Sequence, residues 1–410
     1  MTAEEISLVR DLAQQYLEIC QKDAQREHRD LWRRHNSLQR TRTPVWVRAF
    51  AWQEMPQSQC ICTDPLLRSM ENFFRESLFR DTFGDDYIHE PWYVVPAVII
   101  TPPEGVWGLR VEWHASDEPR GARKWDPPIK SPEDAKRMVE PHHVVDEARS
   151  AERLARVQDA IGDIMPVVLD RATVFRMWNA DISTELAKLR GLEEMMWDMV
   201  DRPAWLHELL AFMRDGILQA QAEAEAAGDW RLCNHQNQSA PYALELQDPS
   251  PSPASVRRKD LWTFCASQET TLVGPAMFNE FMLQYQIPII ANFGLAAYGC
   301  CEDLTHKIPL LRQIPNLRRI AVALTADVAK CAEQIGTDYV LSYRPSPADM
   351  VGYGWDEERV RRILRRDLEA CRGCYVDITL KDVETVQGDT ERVRRWVETT
   401  RSVLDELGMG

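Results

Sequence analysis

The 410-residue chain has no run of about 18 apolar residues, so nothing in it reads as a membrane-spanning helix. It has no basic excess either. Lys and Arg number 49 against 64 Asp and Glu, a formal net charge of −15. That balance argues against an electropositive nucleic-acid-binding face and suits small-molecule or protein partners. The first β-prone run is not followed by G-x-G-x-x-G, which argues against an open dinucleotide-binding sheet. The first 35 residues lack an apolar core ahead of a small-residue cleavage site, so no secretory leader is expected. The ten scattered cysteines are then expected to stay reduced in a cytoplasmic protein.

What is present is a rhythm. From residue 44 onward, short β-prone runs alternate with longer helical patterns: TPVWVRAF, WYVVPAVII, DIMPVVLD, DWRLCNH, LWTFCAS, LAAYGC, RRIAVAL, DYVLSYR and CYVDITL. Alternation of this kind implies parallel strands joined by right-handed crossovers. About eight such units predict an α/β fold, a (β/α)8 TIM barrel. Ile6, Leu8, Leu12, Tyr16 and Cys20 approximate a helical stripe. Residues 1–43 are therefore read as an N-terminal helical cap and 44–410 as the barrel. The Pro-, Gly- and charge-rich stretch 101–138 reads as an excursion over one barrel mouth.

Several segments resemble the uroporphyrinogen decarboxylase superfamily, which includes cobamide-dependent methyltransferases: RTPVWVRAFAWQEM (42–55), ELAKLRGLEEMMWDMVDRPAWLHELLAFM (185–213), GPAMFNEFMLQYQIPII (274–290) and the late units in 314–347. The likeness spans about 44–406. Arg48 matches one of the decarboxylases' two first-loop arginines, whereas Trp52 stands at the other, and CTDPLLRSMENFF lacks their catalytic aspartate motif. The methyltransferase branch carries a His-x-Cys zinc pair and a later cysteine. Here the first aligns with LAAYGCC, which has Cys300 and Cys301 but no histidine, and the second with ITLKDVETV, which has Lys381 and Asp382. The resemblance implies methyl transfer between a small methylated compound or thiol and a corrinoid, assisted by zinc. No D-x-H-x-x-G signature occurs, so the corrinoid would arrive on a partner protein. The alternatives are a decarboxylase or lyase acting on a small carboxylated or aromatic substrate, and a non-catalytic tetrapyrrole- or corrinoid-binding barrel. A homodimer is among the expected assemblies.

Cys300 and Cys301 end a β-prone run, where a barrel keeps its active site and where a helix dipole favours thiolate. They are read as metal ligands, against one thiol packing in the core and the other being incidental. In RLCNHQNQ, Cys233 and His235 would share one strand face. His235 is thus either a further ligand or a hydrogen-bonded core histidine. Glu269, beside Gln268 at another strand end, is a general base, an oxygen ligand or a helix cap. Lys381 and Asp382 are catalytic candidates or a surface pair. Arg48 and Arg344 suit bidentate recognition of a carboxylate or phosphate. Trp52, with Trp46 and Trp92, could stack on an aromatic substrate, and Gln268 would hold substrate. Cys371 and Cys374 have redox spacing but follow a helix rather than begin one, so packing is expected.

Overall fold

The computed structural model of the chain describes residues 2–117 and 121–410. Three residues of the excursion, 118–120, thus lie outside the described residues. The expected β-prone runs become β1 (Val45–Val47), β2 (Tyr93–Pro96), β5 (Val167–Asp170), β6 (Trp262–Cys265), β7 (Leu295–Tyr298), β8 (Leu317–Val322), β9 (Val340–Tyr343) and β10 (Tyr375–Leu380). Six of them form a curled parallel half-barrel in the order β1-β10-β9-β8-β7-β6. The first strand pairs with the last, Val45 opposite Ile378 and Val47 opposite Leu380. β2 and β5 form a separate parallel pair. Among the described residues no ladder joins the two sheets. No helix there is long and apolar enough to cross a membrane.

DWRLCNH departs from expectation. It forms a 3-10 turn, Leu232–Asn234, in place of a strand. Asn234 is the reason: its side chain accepts from the Arg231 amide at 2.7 Å, a local bond that competes with a ladder. The turn nonetheless bridges the two sheets. Asn234 donates to Asp170 at the end of β5 (2.7 Å), and the Gln236 amide donates to the Trp262 carbonyl at the start of β6 (3.2 Å).

Thr2 caps helix α1 (Ala3–Cys20) in a capping box with Glu5. Its buried face is Val9, Leu12, Ala13, Tyr16, Ile19 and Cys20, while the expected Ile6 and Leu8 are only half-buried. That face joins residues of α3 (Pro65–Arg80), Val95 of β2 and the helix Glu147–Ile161 in one small core. Helix α2 (Asp23–Asn36) ends under the larger sheet. There His35 Nε2 lies 3.1 Å from Asp377, which pairs with Arg319 at 2.9 Å, and Arg319 donates to Asn36 Oδ1 at 2.8 Å. Burial alone would raise the Asp377 carboxyl, but Arg319 and His35 overcome it and lower it to about 2.

The excursion after β2 folds back as an antiparallel hairpin, β3 (Glu112–His114) with β4 (Lys124–Asp126). Trp107, Leu109 and Ile129 anchor it in the main core, and the Trp125 indole donates to the Ala187 carbonyl at 3.2 Å.

Candidate functional site

Parallel strands present their loops at one edge, and the candidates converge there from four strands. Arg48 follows β1, Cys300 and Cys301 follow β7, Arg344 follows β9, and Lys381 and Asp382 follow β10. The register makes this meeting possible. Asp377, Thr379 and Lys381 alternate along one face of β10, and Ser342 and Arg344 do so along β9, with Ser342 opposite Asp377.

Cys300 reaches the same face by a different device. Alternation along β7 would place it with Ala296 and Tyr298, yet it packs with Leu295 and Ala297. Gly299, at φ +96°, makes the switch. A Cβ there would also meet Leu304 Cδ1 at 2.6 Å.

Lys381 is the hub. Its ammonium donates to Cys301 Sγ at 2.9 Å, Cys300 Sγ at 3.3 Å and Asp382 Oδ2 at 2.5 Å. The two sulfurs lie 3.5 Å apart. Cys300 is buried, with 3% exposure, whereas Cys301 is exposed. Arg344 donates to the Cys300 carbonyl and to Gln238 Oε1, both at 3.0 Å, and Arg48 shares that Gln238 oxygen at 2.9 Å. Two non-glycine residues here, Gln238 (φ 64°) and Asp382 (φ 57°), adopt left-handed backbone, the kind of strain that active sites hold.

The cluster separates the two thiols electrostatically. The Cys301 thiol donates to Cys300, and with Arg344 and Lys381 alongside it holds the Cys300 thiol well below its ordinary range, against the opposing effect of burial. Cys301 is pushed far upward, chiefly by its hydrogen bond to the thiolate beside it. The pair therefore shares one proton, carried on Cys301. Lys381 keeps its charge: burial opposes it, but Cys300 and Asp382 outweigh that.

Glu302 follows the pair, and its carboxylate turns to the backbone, accepting from the Cys300 and Ser267 amides, each at 2.7 Å. It fixes the Cys300 backbone against the β6 loop.

The remaining candidates stand elsewhere. Glu269 accepts from Ser183 Oγ (2.7 Å) and Thr184 Oγ1 (3.1 Å), the hydroxyls of the first two residues of the helix Ser183–Arg190. Thr184 Oγ1 also donates to Asp181, a buried carboxyl pushed well up by burial and by the Glu269 charge. Gln268 donates to Glu269 at 3.2 Å. Trp52 is bound to Asn72 at 2.8 Å and packs against Phe50 and Phe79. His235 is not with the cysteines. Its Nδ1 accepts from the Trp262 amide (3.1 Å), at the N-terminal end of β6, and burial lowers it to about 4. It lines a cavity of about 350 Å³ with Tyr16, Trp46 and Tyr87.

Zinc takes three or four sulfur, nitrogen or carboxylate donors in a tetrahedron. Among the described residues no group of three or more His, Cys, Asp or Glu is arranged to hold a metal ion. The two sulfurs and Asp382 converge on an ammonium, which fills the space that an ion would take. As arranged, these donors do not fit zinc. Gln238 escaped the sequence reading because nothing in HQNQSAP distinguishes it from a solvated loop amide.

No family model and no curated protein matches the chain. Among solved structures the fold is similar to that of a methyltransferase from Methanosarcina mazei, at 13% identity and a TM-score of 0.52, covering 93% of this chain and 99% of that one. At that identity the likeness is one of fold, and it extends over nearly the whole length of both chains.

Proposed function

We propose that the two sheets are parts of one (β/α)8 barrel of the type found in the uroporphyrinogen decarboxylase superfamily, and that its C-terminal edge carries out methyl transfer. The methyl group moves between a small methylated compound or a thiol and a corrinoid on a partner protein. The observation that supports this most is the Cys300–Lys381–Cys301 cluster, set at strand ends in a fold similar to a methyltransferase's.

In the thiol-methylating direction, the residues divide the work as follows. Arg48 and Arg344, both at the cluster, hold an anionic group of the acceptor. The acceptor thiol gives its proton to the Cys300 thiolate. The acceptor sulfur then bonds the methyl carbon, and the electron pair of the broken bond leaves with the donor atom. Cys300 afterwards returns its proton to solvent. Lys381 holds Cys300 ionised between turnovers. The corrinoid, when its partner is docked, supplies the donor atom. No step runs through zinc.

Free methylcobalamin can stand in for the partner in the test. With a panel of small anionic thiols, wild-type protein is expected to consume it and yield the methyl thioether, with a loss of roughly 100-fold in Cys300→Ser, the scale of general acid–base catalysis. A wild-type rate equal to that of buffer, or an unchanged rate in Cys300→Ser, refutes the reading.

A further inference from the structure

We infer that Cys300 and Cys301 form a modification site for hydroperoxides, at which the two adjacent residues close reversibly to a disulfide. The inference rests on the reading of Cys300 as the thiolate of the proposed function.

Placement supports it first. The sulfurs stand 3.5 Å apart on one side of the chain, and bonding at about 2.05 Å requires an approach of about 1.5 Å. Glu302 pins the Cys300 backbone, while Cys301 is exposed in an irregular segment beyond Gly299, outside any strand or helix that would oppose that movement. Chemistry supports it second. The other eight cysteines all have thiols raised by burial, including Cys371 and Cys374 with their redox spacing. Peroxide oxidises thiolates, and of the ten thiols only that of Cys300 is lowered, with the exposed Cys301 beside it as its side toward solvent.

The reaction balances with groups already in contact. The Cys300 thiolate attacks one peroxide oxygen and the O–O bond breaks. The departing hydroxide takes a proton from Lys381, leaving Cys300 as sulfenic acid and releasing water. The Lys381 amine, 2.9 Å from Cys301, then accepts that thiol's proton. The Cys301 sulfur attacks the sulfenic sulfur, and hydroxide leaves as a second water with the same proton. One proton from solvent restores Lys381. Sulfur is oxidised and peroxide reduced, two electrons each way.

The product is built to be temporary. Neighbouring Cα atoms lie about 3.8 Å apart across a trans peptide, short of the roughly 4.4–6.8 Å that disulfides span. A ring so small is strained, and strained disulfides are readily reduced. Closure removes the thiolate that the methyl-transfer step uses, so peroxide would switch that step off and a thiol reductant would restore it.

The test treats the full chain with equimolar hydrogen peroxide and follows the peptide that spans both residues by mass. The expected product lacks two hydrogens, is reversed by dithiothreitol, and appears as iodoacetamide labelling of Cys300 disappears. Cys301→Ser should stop at a Cys300 sulfenic acid that dimedone traps. Wild-type protein that accumulates sulfenic or sulfinic acid at Cys300 without the two-hydrogen loss overturns the inference. So does a disulfide to any other cysteine. If untreated protein shows no preferential iodoacetamide labelling of Cys300, the thiolate reading itself fails; if labelling is preferential but no ring forms, only this inference fails.

Discussion

Replacing Lys381 by Met removes the charge at the hub but keeps the stem, so it isolates the ammonium's effect on Cys300. The ammonium stands 3.3 Å from that sulfur. Coulomb's law at that distance with an effective dielectric constant of about 20 gives about 5 kcal/mol, an upper bound before desolvation is charged against it. A hydrogen bond to a charged group is worth about 1.5–3 kcal/mol net. Divided by about 1.36 kcal/mol per pKa unit, that range places the Cys300 midpoint roughly 1–2 units higher in Lys381→Met. Arg344 and the Cys301 thiol remain and prevent a larger rise. The assay is the rate of iodoacetamide alkylation against pH, with the modified residue identified by mass. Below both midpoints the variant should react about 10–100-fold more slowly. At high pH, where both proteins are fully ionised, the rates should meet. A midpoint unchanged in Lys381→Met would show that the ammonium does not hold the thiolate, and the hub would be an accident of packing.

Cys301→Ala removes the donor that contributes most to lowering Cys300, and its alkylation midpoint should rise, while Cys301→Ser, which keeps a hydroxyl donor, should restore most of the shift. Because the donors present do not fit zinc, exhaustive chelation should leave the wild-type alkylation profile unchanged; a midpoint that moves on chelation refutes that. Gly299→Ala should lower stability by roughly 1–3 kcal/mol in urea titration, since alanine must adopt φ +96° with its Cβ against Leu304. An unchanged urea midpoint would show that the loop can relax without it.

The strands were legible because each is a short β-prone run between polar loops, and the half-barrel's first-to-last pairing follows from that alternation. The hub was legible for a related reason: residues that follow parallel strands share one edge, so Arg48, Cys300, Arg344 and Lys381 could be placed together before any distance was known. Two things were hidden. His235 was assigned to the same edge on the premise that DWRLCNH is a strand, and the bond from the Arg231 amide to Asn234 defeats that premise. Gln238, which follows from the same turn, owes its place to left-handed backbone that no residue type signals. The part of Glu302 was not legible either, because charge alone does not say whether a carboxylate faces a sulfur or two amides.

The alternation that brings Lys381 to the cysteines also explains an ion pair far from them. Asp377, Thr379 and Lys381 lie on one face of β10, and Thr379 donates to Asp377 at 3.3 Å. Asp377 in turn takes bonds from Ser342 of β9 (2.9 Å) and Arg319 of β8 (3.1 Å), and His35 of α2 closes the group. A slip of β10 by one residue would turn Lys381 away from the thiols and break each of these bonds at once. The network therefore holds the strand in the register that the site needs. Asp377→Asn leaves Arg319 buried without its counter-charge and should destabilise the chain by about 3–5 kcal/mol. The pH dependence has a definite sign. The folded Asp377 carboxyl is depressed to about 2, below the unfolded value of about 3.9, so its contribution is complete above the unfolded value and fades as pH falls from there through 2. In urea titrations the gap between wild type and Asp377→Asn should thus be constant near neutrality and narrow below about pH 4. A gap that stays constant into that range would mean that the charge of Asp377 does not stabilise the fold, and its part in fixing the register would fall with it.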